Sequence, residues 1–252
     1  RSTLFPYTTL FRSEPFGFNV TIWLRSEGSI GRTKPKLERL RDIYLNTLEQ
    51  MKTDKSAYCR GFSDKEDLTI DEIDELKECT IKAYDGIKLT TSYEDAAADA
   101  DLVIEAIAED PEQKISFYQE LAKHLPEKTI LVTNSSTMLP SSFAKYTGRP
   151  EKYLALHFAN SIWSNNTAEI MGHSETQQKY YDEVVKFAQD INMVPLKLKK
   201  EQPGYILNSM LVPFLSAAEA LLANDVADHE TIDKTWKRFR SEERRVGKEC
   251  RS

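Results

Sequence analysis

The feature that most constrains the fold is a series of short apolar runs, separated by segments of helical length, in which each run ends at polar side chains. The runs begin at Leu102, Ile130 and Tyr153. Continuous apolar runs of this length are typical of parallel strands buried on both faces of a sheet. Ligands of such sheets bind at the carboxyl ends of the strands. The pattern therefore predicts a ligand site along one rim. The polar residues that follow the runs are Glu105, Glu109, Asn134, Ser135, Ser136, His157, Asn160 and Glu169.

Hydrophobic periodicity and turn residues predict the other elements. Strands are predicted at residues 20–24, 87–91, 102–107, 129–133, 153–158 and 194–198. Helices are predicted at residues 36–51, 70–83, 93–100, 111–121, 140–146 and 176–190, with a loop at 26–31 and a polar stretch before residue 176. After residues 202–204 only helices are predicted, at 205–224 and from 228. This order predicts a doubly wound, mostly parallel α/β domain over residues 14–200, followed by the start of an all-helical domain over 201–239.

The two ends of the chain are related to each other at the level of DNA. One nucleotide string encodes residues 1–13, and its reverse complement encodes residues 240–252. Two natural protein termini do not acquire such a relation by chance. We therefore interpret both segments as a translated sequencing adapter and exclude them from reasoning about the fold.

Charge and cysteine usage narrow the class of protein. The net charge is -6. The segments 1–13 (two arginines) and 240–252 (five cations, three glutamates) contribute +2 each, so residues 14–239 carry -10. An acidic chain argues against nucleic acid as a partner. No apolar run is long enough to suggest a membrane span. Cys59 and Cys79 show no metal-ligand spacing, and the four histidines form no zinc motif, so we expect no metal and a reduced, cytoplasmic setting.

Four motifs occur in a fixed order along the chain. The first runs from Asp101 to Glu109, and the second is Asn134-Ser-Ser136. The third is His157-Phe-Ala-Asn160, with Glu169 twelve positions after the histidine, and the fourth is Gln202-Pro-Gly-Tyr-Ile-Leu-Asn208. Together they resemble the L-3-hydroxyacyl-CoA dehydrogenase family, which includes 3-hydroxybutyryl-CoA dehydrogenase. The resemblance spans nearly all of residues 14–239.

The resemblance implies an oxidoreductase that moves a hydride between C3 of an L-3-hydroxyacyl-CoA and NAD or NADP, in fatty-acid or short-chain acyl-CoA metabolism. It implies that His157 is the general base and that Glu169 orients its imidazole. Ser136 and Asn208 would contact the reacting oxygen and the neighbouring thioester groups. The residues implied on the nucleotide and nicotinamide side are Glu109, Lys114, Ser136 and Asn160.

Elementary chemistry agrees with these roles but leaves alternatives open. A histidine titrates near neutrality, so it can accept a proton in oxidation and return it in reduction. Positioned hydrogen-bond donors stabilise charge that develops on a substrate oxygen. A solvated Glu169, a turn-forming Ser136 and a solvated Lys114 in the first turn of a helix are the structural alternatives.

The chain departs from the family pattern at three places. Ser161 stands where the family usually has proline, which indicates a differently shaped acyl pocket. The glycine-rich fingerprint before the first of the predicted strands is absent. Where NAD-using members have an acid at the end of the second strand, this chain has Arg25, and an arginine there suits the 2′-phosphate of NADP. Glu27 is close enough to make that register ambiguous.

The resemblance also implies that a central first strand and its glycine-rich turn are missing, and that the helical domain is cut short. We therefore expect this chain to be unstable and poorly active. The intact protein is expected to be a homodimer, whereas dimerisation of the fragment is doubtful. Two rival functions stay open: a related dehydrogenase of a free hydroxy acid such as gulonate or carnitine, and a non-catalytic nucleotide- or acyl-CoA-binding paralogue.

Overall fold

The computed structural model describes the backbone of residues 18–249 and the side chains of residues 18–239. The first predicted adapter segment, residues 1–13, lies outside the described residues, as do residues 250–252 of the second. The strands are β1 (Thr21–Trp23), β2 (Lys88–Thr90), β3 (Leu102–Glu105), β4 (Ile130–Thr133), β5 (Tyr153–Phe158), β6 (Thr167–Met171) and β7 (Val194–Lys197). The helices are α1 (Glu27–Met51), α2 (Ile70–Gly86), α3 (Tyr93–Ala97), α4 (Pro111–Leu121), α5 (Gln178–Asp190), α6 (Leu207–Ala223) and α7 (His229–Glu249).

The strands form a five-stranded sheet in the order β3-β4-β5-β6-β7 and a separate parallel pair, β1-β2. All neighbours are parallel except β5 and β6. Helix α4 contributes to the apolar cluster on one face of the large sheet, and α5 contributes to the cluster on the other. This arrangement confirms the prediction of a doubly wound, mostly parallel α/β fold.

The β1-β2 pair and the large sheet face one another across a cavity of about 120 Å3. The cavity is lined by β1 on one side and β3 on the other, with Trp23, Tyr93 and Phe117 among its walls. Within residues 18–249, β1 pairs only with β2 and β3 pairs only with β4. Each therefore presents an edge to the cavity.

A helical hairpin of α1 and α2 connects β1 to β2. Helix α1 buries one face through residues spaced three or four apart, which is the spacing that brings side chains to one side of a helix. They are Ser29, Thr33, Leu37, Leu40, Tyr44 and Leu48. The predicted loop at residues 26–31 was wrong, because Ser26 caps the helix and Glu27 begins it. Pro35 lies inside this helix. Because glycine and proline are unfavourable inside helices, Gly28, Gly31 and Pro35 indicate a loop where the structure has a helix.

A second prediction was wrong between β5 and α5. The sequence was interpreted there as a polar stretch, whereas residues Thr167–Met171 form β6, antiparallel to β5. The predicted helix at 140–146 is two short 3₁₀ turns, Pro140–Ser142 and Ala144–Tyr146.

Residues divide into two compact units after Tyr205. In the second unit, α6 and α7 are joined by a short turn, and Phe214 of α6 packs on Trp236 of α7 with ring centroids 4.2 Å apart. Helix α6 contains Pro213 and leaves many large apolar side chains exposed. Helix α7 continues to Glu249 and so includes residues 240–249 of the second predicted adapter segment.

Candidate active site

The carboxyl ends of β3, β4 and β5 meet at one rim because these three strands are parallel. Residue 105 ends β3, Asn134 follows β4, and His157 is the penultimate residue of β5. The Oδ1 atom of Asn134 accepts a hydrogen bond of 3.0 Å from the backbone N–H of Phe158, which ties the end of β4 to the end of β5. The rim predicted from the sequence is thus assembled by strand pairing and by a side-chain contact between neighbouring strand ends.

His157 and Glu169 form a buried pair at this rim. The antiparallel register of β5 and β6 places the two residues directly opposite each other, where side chains on one face of a sheet touch. Nδ1 of His157 lies 3.0 Å from Oε2 of Glu169, and the two residues are only 8% and 3% exposed. Because a carboxylate can only accept, this contact places a proton on Nδ1 and leaves Nε2 to exchange protons.

A second carboxylate organises the loop after β4. Glu109 accepts a hydrogen bond from the hydroxyl of Ser135 at 2.7 Å and another from the backbone N–H of Ser136 at 2.9 Å. The hydroxyl of Ser135 in turn accepts from the backbone N–H of Met138 at 3.1 Å. Glu109 therefore fixes the loop that carries Ser136.

Lys114 forms a buried ion pair with Glu105. It is 0% exposed, and its Nζ donates to Oε1 of Glu105 at 2.7 Å. The second oxygen of Glu105 accepts from the hydroxyls of Tyr118 at 2.6 Å and Thr133 at 2.8 Å. The sequence alternatives for Lys114 were a cofactor contact and a solvated side chain, and the structure instead shows an internal ion pair. A contact between Lys114 and a cofactor stays a prediction.

The remaining predicted residues are spread over the two units. Arg25 is exposed after β1, and its Nη2 donates to Oε1 of Gln113 at 2.9 Å. Asn160 is exposed just beyond β5, and its backbone carbonyl accepts from the side-chain amide of Asn165 at 3.1 Å. Asn208 is half-buried in α6 of the second unit.

Sequence reasoning missed Tyr205 as a component of the site. Its ring stacks on the imidazole of His157, with centroids 4.6 Å apart and planes inclined by 23°. The sequence analysis includes Tyr205 in the fourth motif and predicts it as the first residue of an apolar helix, without a role of its own in the site. A better signal was its place directly after Pro203-Gly204, because such a pair favours a turn rather than a helix.

Ser161, where the family usually has proline, begins a segment that packs inward. Its φ is 55°, and the next residue, Ile162, is fully buried. The backbone carbonyl of Trp163 accepts from the N–H of Gly61, and a Cβ placed on Gly61 would lie only 2.4 Å from that oxygen. The helical hairpin and the loop after Asn160 thus touch backbone to backbone, a contact that only glycine permits at position 61.

The rim fits one part of a nicotinamide dinucleotide. Parallel strands present polar side chains at their carboxyl ends, which is where dinucleotides bind to doubly wound sheets. The pyrophosphate in such folds is held by a glycine-rich turn at a helix N-terminus. Among residues 18–249, Gly28 and Gly31 lie inside α1 and supply no such turn. The described residues therefore fit the nicotinamide side of the cofactor.

This fold and this rim define an α/β domain of the dinucleotide-binding class that oxidoreductases use. The chain belongs to the family described as "3-hydroxyacyl-CoA dehydrogenase, NAD binding domain", whose model matches residues 38–202. The resemblance stated from the four motifs is confirmed at the level of the family.

Individual relatives agree with this assignment. The 3-hydroxybutyryl-CoA dehydrogenase of Clostridioides difficile is 33% identical over 162 residues, which are 64% of this chain and 57% of that protein. A solved structure of a diketoreductase, described by the words "dual catalysis of dicarbonyl compounds", is 41% identical to this chain. The match has a TM-score of 0.76 and covers 92% of this chain and 73% of the other. The 3-hydroxybutyryl-CoA dehydrogenase of Escherichia coli has a TM-score of 0.68 at 22% identity, over 88% of this chain and 41% of the other, and shows the same fold.

The chain spans 57% or less of the length of the curated relatives reported first. Within the described residues, no helix combines the length and the apolar character that a membrane crossing requires. In the same part of the chain, no three His, Cys, Asp or Glu side chains come together as a possible metal site.

Proposed function

We propose that the protein to which this chain belongs is an NAD(P)-dependent dehydrogenase of L-3-hydroxyacyl-CoA thioesters, in short-chain acyl-CoA or fatty-acid metabolism. The observation that carries the proposal is the buried contact of 3.0 Å between His157 and Glu169 at the carboxyl end of a parallel sheet. A histidine held by a carboxylate is a suitable general base near neutral pH. Membership of the NAD-binding domain family supports the same chemistry.

In the proposed reaction, the substrate loses a hydride, which carries two electrons, from C3 and a proton from the hydroxyl on C3. When bound, the nicotinamide supplies the acceptor for the hydride that leaves C3. Nε2 of His157 accepts the hydroxyl proton as the C3–O bond becomes a double bond. The carboxylate of Glu169 keeps the other proton on Nδ1 and stabilises the imidazolium that forms. In the reverse direction the imidazolium returns its proton to the developing alkoxide.

Ser136, Asn208 and Asn160 are proposed to bind and orient the substrate and the nicotinamide. The anchoring of the Ser136 backbone by Glu109 supports this role, because a catalytic hydroxyl gains from a fixed loop.

Arg25 is proposed to select the cofactor. It follows β1, which is the position where an acid binds the ribose hydroxyls of NAD and where an arginine accommodates the 2′-phosphate of NADP. Titration of the intact protein with both cofactors tests this proposal. Tighter binding of NADP, lost in Arg25→Asp, is the expected result, and a strong preference for NAD contradicts it.

A free dicarbonyl compound or hydroxy acid is the second candidate substrate. The observation that favours it is the 41% identity to a diketoreductase, against 33% to a 3-hydroxybutyryl-CoA dehydrogenase. In both candidates a carbonyl is reduced or a hydroxyl is oxidised, so the role of His157 is unchanged. The two differ in whether the coenzyme A portion contributes binding energy.

The acyl-CoA candidate receives support from cations on α1. Coenzyme A carries phosphates, which basic side chains attract. The exposed cations near the start of α1 are Arg32, Lys34, Lys36 and Arg39. Their structural alternative is an ordinary charged helix surface, and neutralising them distinguishes the two interpretations.

Turnover of matched substrates by the intact protein tests the proposed function. We expect acetoacetyl-CoA to be reduced with a kcat/KM well above that of free acetoacetate or a free diketo ester. His157→Gln is expected to lower kcat by about 10²–10⁴-fold, the usual contribution of general acid–base catalysis. His173→Gln is the matched control, because His173 is a buried histidine whose ring nitrogens bind only backbone groups in the described hydrogen bonds.

Two outcomes contradict the proposal. Faster turnover of the free dicarbonyl compound than of the thioester identifies the second candidate as the substrate. Equal turnover by the wild type and His157→Gln indicates a binding paralogue without catalysis at this site.

We also propose that the intact protein is a homodimer formed through its helical part. The support is the exposed apolar surface of α6, since large apolar patches mark interfaces. Its most exposed members are Met210, Val212, Leu215, Leu221 and Leu222. Sedimentation of the intact protein is expected to give twice the monomer mass.

A further inference from the structure

Tyr205 covers the side of the sheet on which His157 lies. Side chains alternate along a strand, so Ala155 and His157 of β5 lie on one face, and Glu169 and Met171 of β6 lie on the same face. The opposite face of these strands packs into the apolar core with α5. Tyr205 forms a separate buried cluster with Ala155 and Met171. Its ring therefore occupies the side of the sheet that carries the polar pair.

The imidazole of His157 is held from two directions. Oε2 of Glu169 binds its edge at Nδ1, and the ring of Tyr205 lies against its face at 4.6 Å between centroids. Tyr205 is 1% exposed, so its ring has little freedom to move away from this contact. Stacked aromatic pairs of this kind are favourable beyond the area that they bury.

The backbone turn that delivers Tyr205 is an unusual one. Gly204 has φ 76° and Tyr205 has φ 54°, so two successive residues adopt the left-handed conformation. This conformation is unfavourable for a bulky side chain and persists only where the surroundings hold it. The N–H of Tyr205 binds the carbonyl of Gln202 at 3.0 Å, and the N–H of Gln202 contacts Sδ of Met171 at 3.2 Å. The turn is thus anchored to the end of β6.

Burial and the surrounding carboxylates keep the phenol of Tyr205 uncharged. Burial raises the pKa of Tyr205 far above its usual range, and the carboxylates of Glu109, Glu169, Glu105 and Glu201 raise it further. The ring therefore adds no negative charge beside the imidazole at physiological pH. Its effect on His157 is through contact and geometry.

We propose that Tyr205 is a positioning residue that fixes the plane of the His157 imidazole, so that Nε2 keeps one direction toward the substrate hydroxyl. The inference rests on the proposed function, in which His157 moves the proton. Rotation of a histidine about its side-chain torsions redirects Nε2, and the Glu169 contact at one atom leaves rotation about that contact available. A ring packed on the imidazole face removes this remaining freedom.

Ring-current shifts measure the stack without any need for turnover. The full chain is labelled with ¹³C-histidine, and the His157 resonances are assigned by their loss in His157→Gln. We expect the ring C–H protons of His157 to lie upfield of those of the exposed His229 in the wild type and in Tyr205→Phe. In Tyr205→Leu they are expected to move downfield, while the resonances of His124 and His173 stay in place as a check on folding.

Two results overturn the proposal by this measurement. One is a Tyr205→Leu chain that keeps the other histidine resonances and leaves those of His157 unmoved. The other needs no variant: the wild-type chain lacks nuclear Overhauser contacts between the ring protons of Tyr205 and those of His157.

Kinetics of the intact protein test the consequence. Misplacement of a reacting group by about 1 Å can cost about 10²-fold in rate. Tyr205→Leu is therefore expected to lower kcat by about 10- to 100-fold with a smaller change in KM, and Tyr205→Phe is expected to retain the wild-type rate. An unchanged kcat in Tyr205→Leu contradicts positioning. Absence of turnover in the wild type, with the ring-current shift intact, instead contradicts the proposed function.

Discussion

Two buried carboxylates of the five-stranded sheet, Glu105 on β3 and Glu169 on β6, differ in what they bind. Glu105 accepts from Lys114, Tyr118 and Thr133, and also from the backbone N–H of Ile107 at 2.7 Å. Every one of these donors is fixed, so Glu105 is a structural hub. A buried carboxylate is tolerated only when its charge is compensated and its oxygens are bound in this way.

Glu169 binds Nδ1 of the His157 ring. In the proposed function this ring accepts and returns a proton, so the net charge of the pair changes during the reaction. The same residue type therefore serves packing at the end of β3 and, in the proposed function, proton transfer beside the end of β5. The difference comes from the partner that strand pairing places opposite each carboxylate.

Lys114→Met tests the structural role of the Glu105 hub. Removal of one partner of a buried ion pair leaves an uncompensated charge, so we expect a loss of about 3–5 kcal/mol in the free energy of unfolding. Lys123→Met is the control, because Lys123 is exposed and pairs with Glu120 at the surface, where a change of about 0.5 kcal/mol or less is usual. Urea unfolding followed by circular dichroism measures both variants. Equal losses in the two variants would show that the Glu105 pair is not important for stability.

Helix α2 shows, at the scale of an element, how local sequence sets a helix boundary. The hydroxyl of Thr69 accepts from the N–H of Glu72, and the carboxylate of Glu72 accepts from the N–H of Thr69 at 2.7 Å. These two bonds form a reciprocal capping box, which fixes the first turn of the helix. Thr69→Ala is expected to destabilise the protein by about 1 kcal/mol, as is typical for loss of an N-cap. The control is Thr53→Ala, whose hydroxyl makes only a long contact of 3.4 Å.

The same capping box gives a pH dependence. The ammonium of Lys65 and the N–H of Thr69 lower the pKa of Glu72 from 4.5 to about 2. Because the folded pKa is the lower one, the stabilisation is present above pH 4.5 and is lost as the pH falls toward 2. We expect wild type and Glu72→Gln to differ in unfolding free energy at pH 6, and the difference to shrink on acidification. A difference that is independent of pH between 6 and 2 contradicts this assignment.

Sequence patterns identified the strands of the parallel sheet because those strands are buried on both faces and so are continuously apolar. They failed at β6, Thr167–Met171. This segment contains a charged residue, and its alternation of polar and apolar residues is too short to indicate a strand. They also failed at the start of α1, where two glycines and Pro35 indicate a loop. In both places the surrounding packing outweighs local preference. The family resemblance predicts the pairing of His157 with Glu169. The stack of Tyr205 on His157 depends on long-range packing, and Pro203-Gly204 indicates only the turn that precedes it.

At the scale of the whole molecule, the main feature is the division of the strands into two sheets. The edges of β1 and β3 line one cavity, and apolar and aromatic side chains form most of its wall. In the doubly wound topology that binds dinucleotides, a strand lies at this place in the order and its following turn holds the pyrophosphate. The cavity supports the prediction that the sheet of the intact protein contains a further strand between β1 and β3.

The contribution of that strand to the stability of the domain follows from the number of apolar side chains that it would bury. About five buried apolar side chains at roughly 1.5–3 kcal/mol each rival the net stability of a whole domain, about 5–15 kcal/mol. We expect the 252-residue chain to melt over a broad range and to bind NAD(P) weakly. A version with an apolar strand and glycine-rich turn ahead of β1 is expected to melt cooperatively. A sharp melt and tight NAD(P) binding by the 252-residue chain itself contradict this account.

The proton positions on the imidazole of His157 provide the most direct test of the account. ¹⁵N NMR of the histidine-labelled chain distinguishes protonated from unprotonated ring nitrogens. We expect neutral His157 to carry its proton on Nδ1 and to leave Nε2 unprotonated. Glu169→Gln is expected to remove this preference. The control Glu183→Gln, on the exposed side of α5, is expected to have no effect. A proton on Nε2 in the wild type, or an unchanged tautomer in Glu169→Gln, would contradict the account.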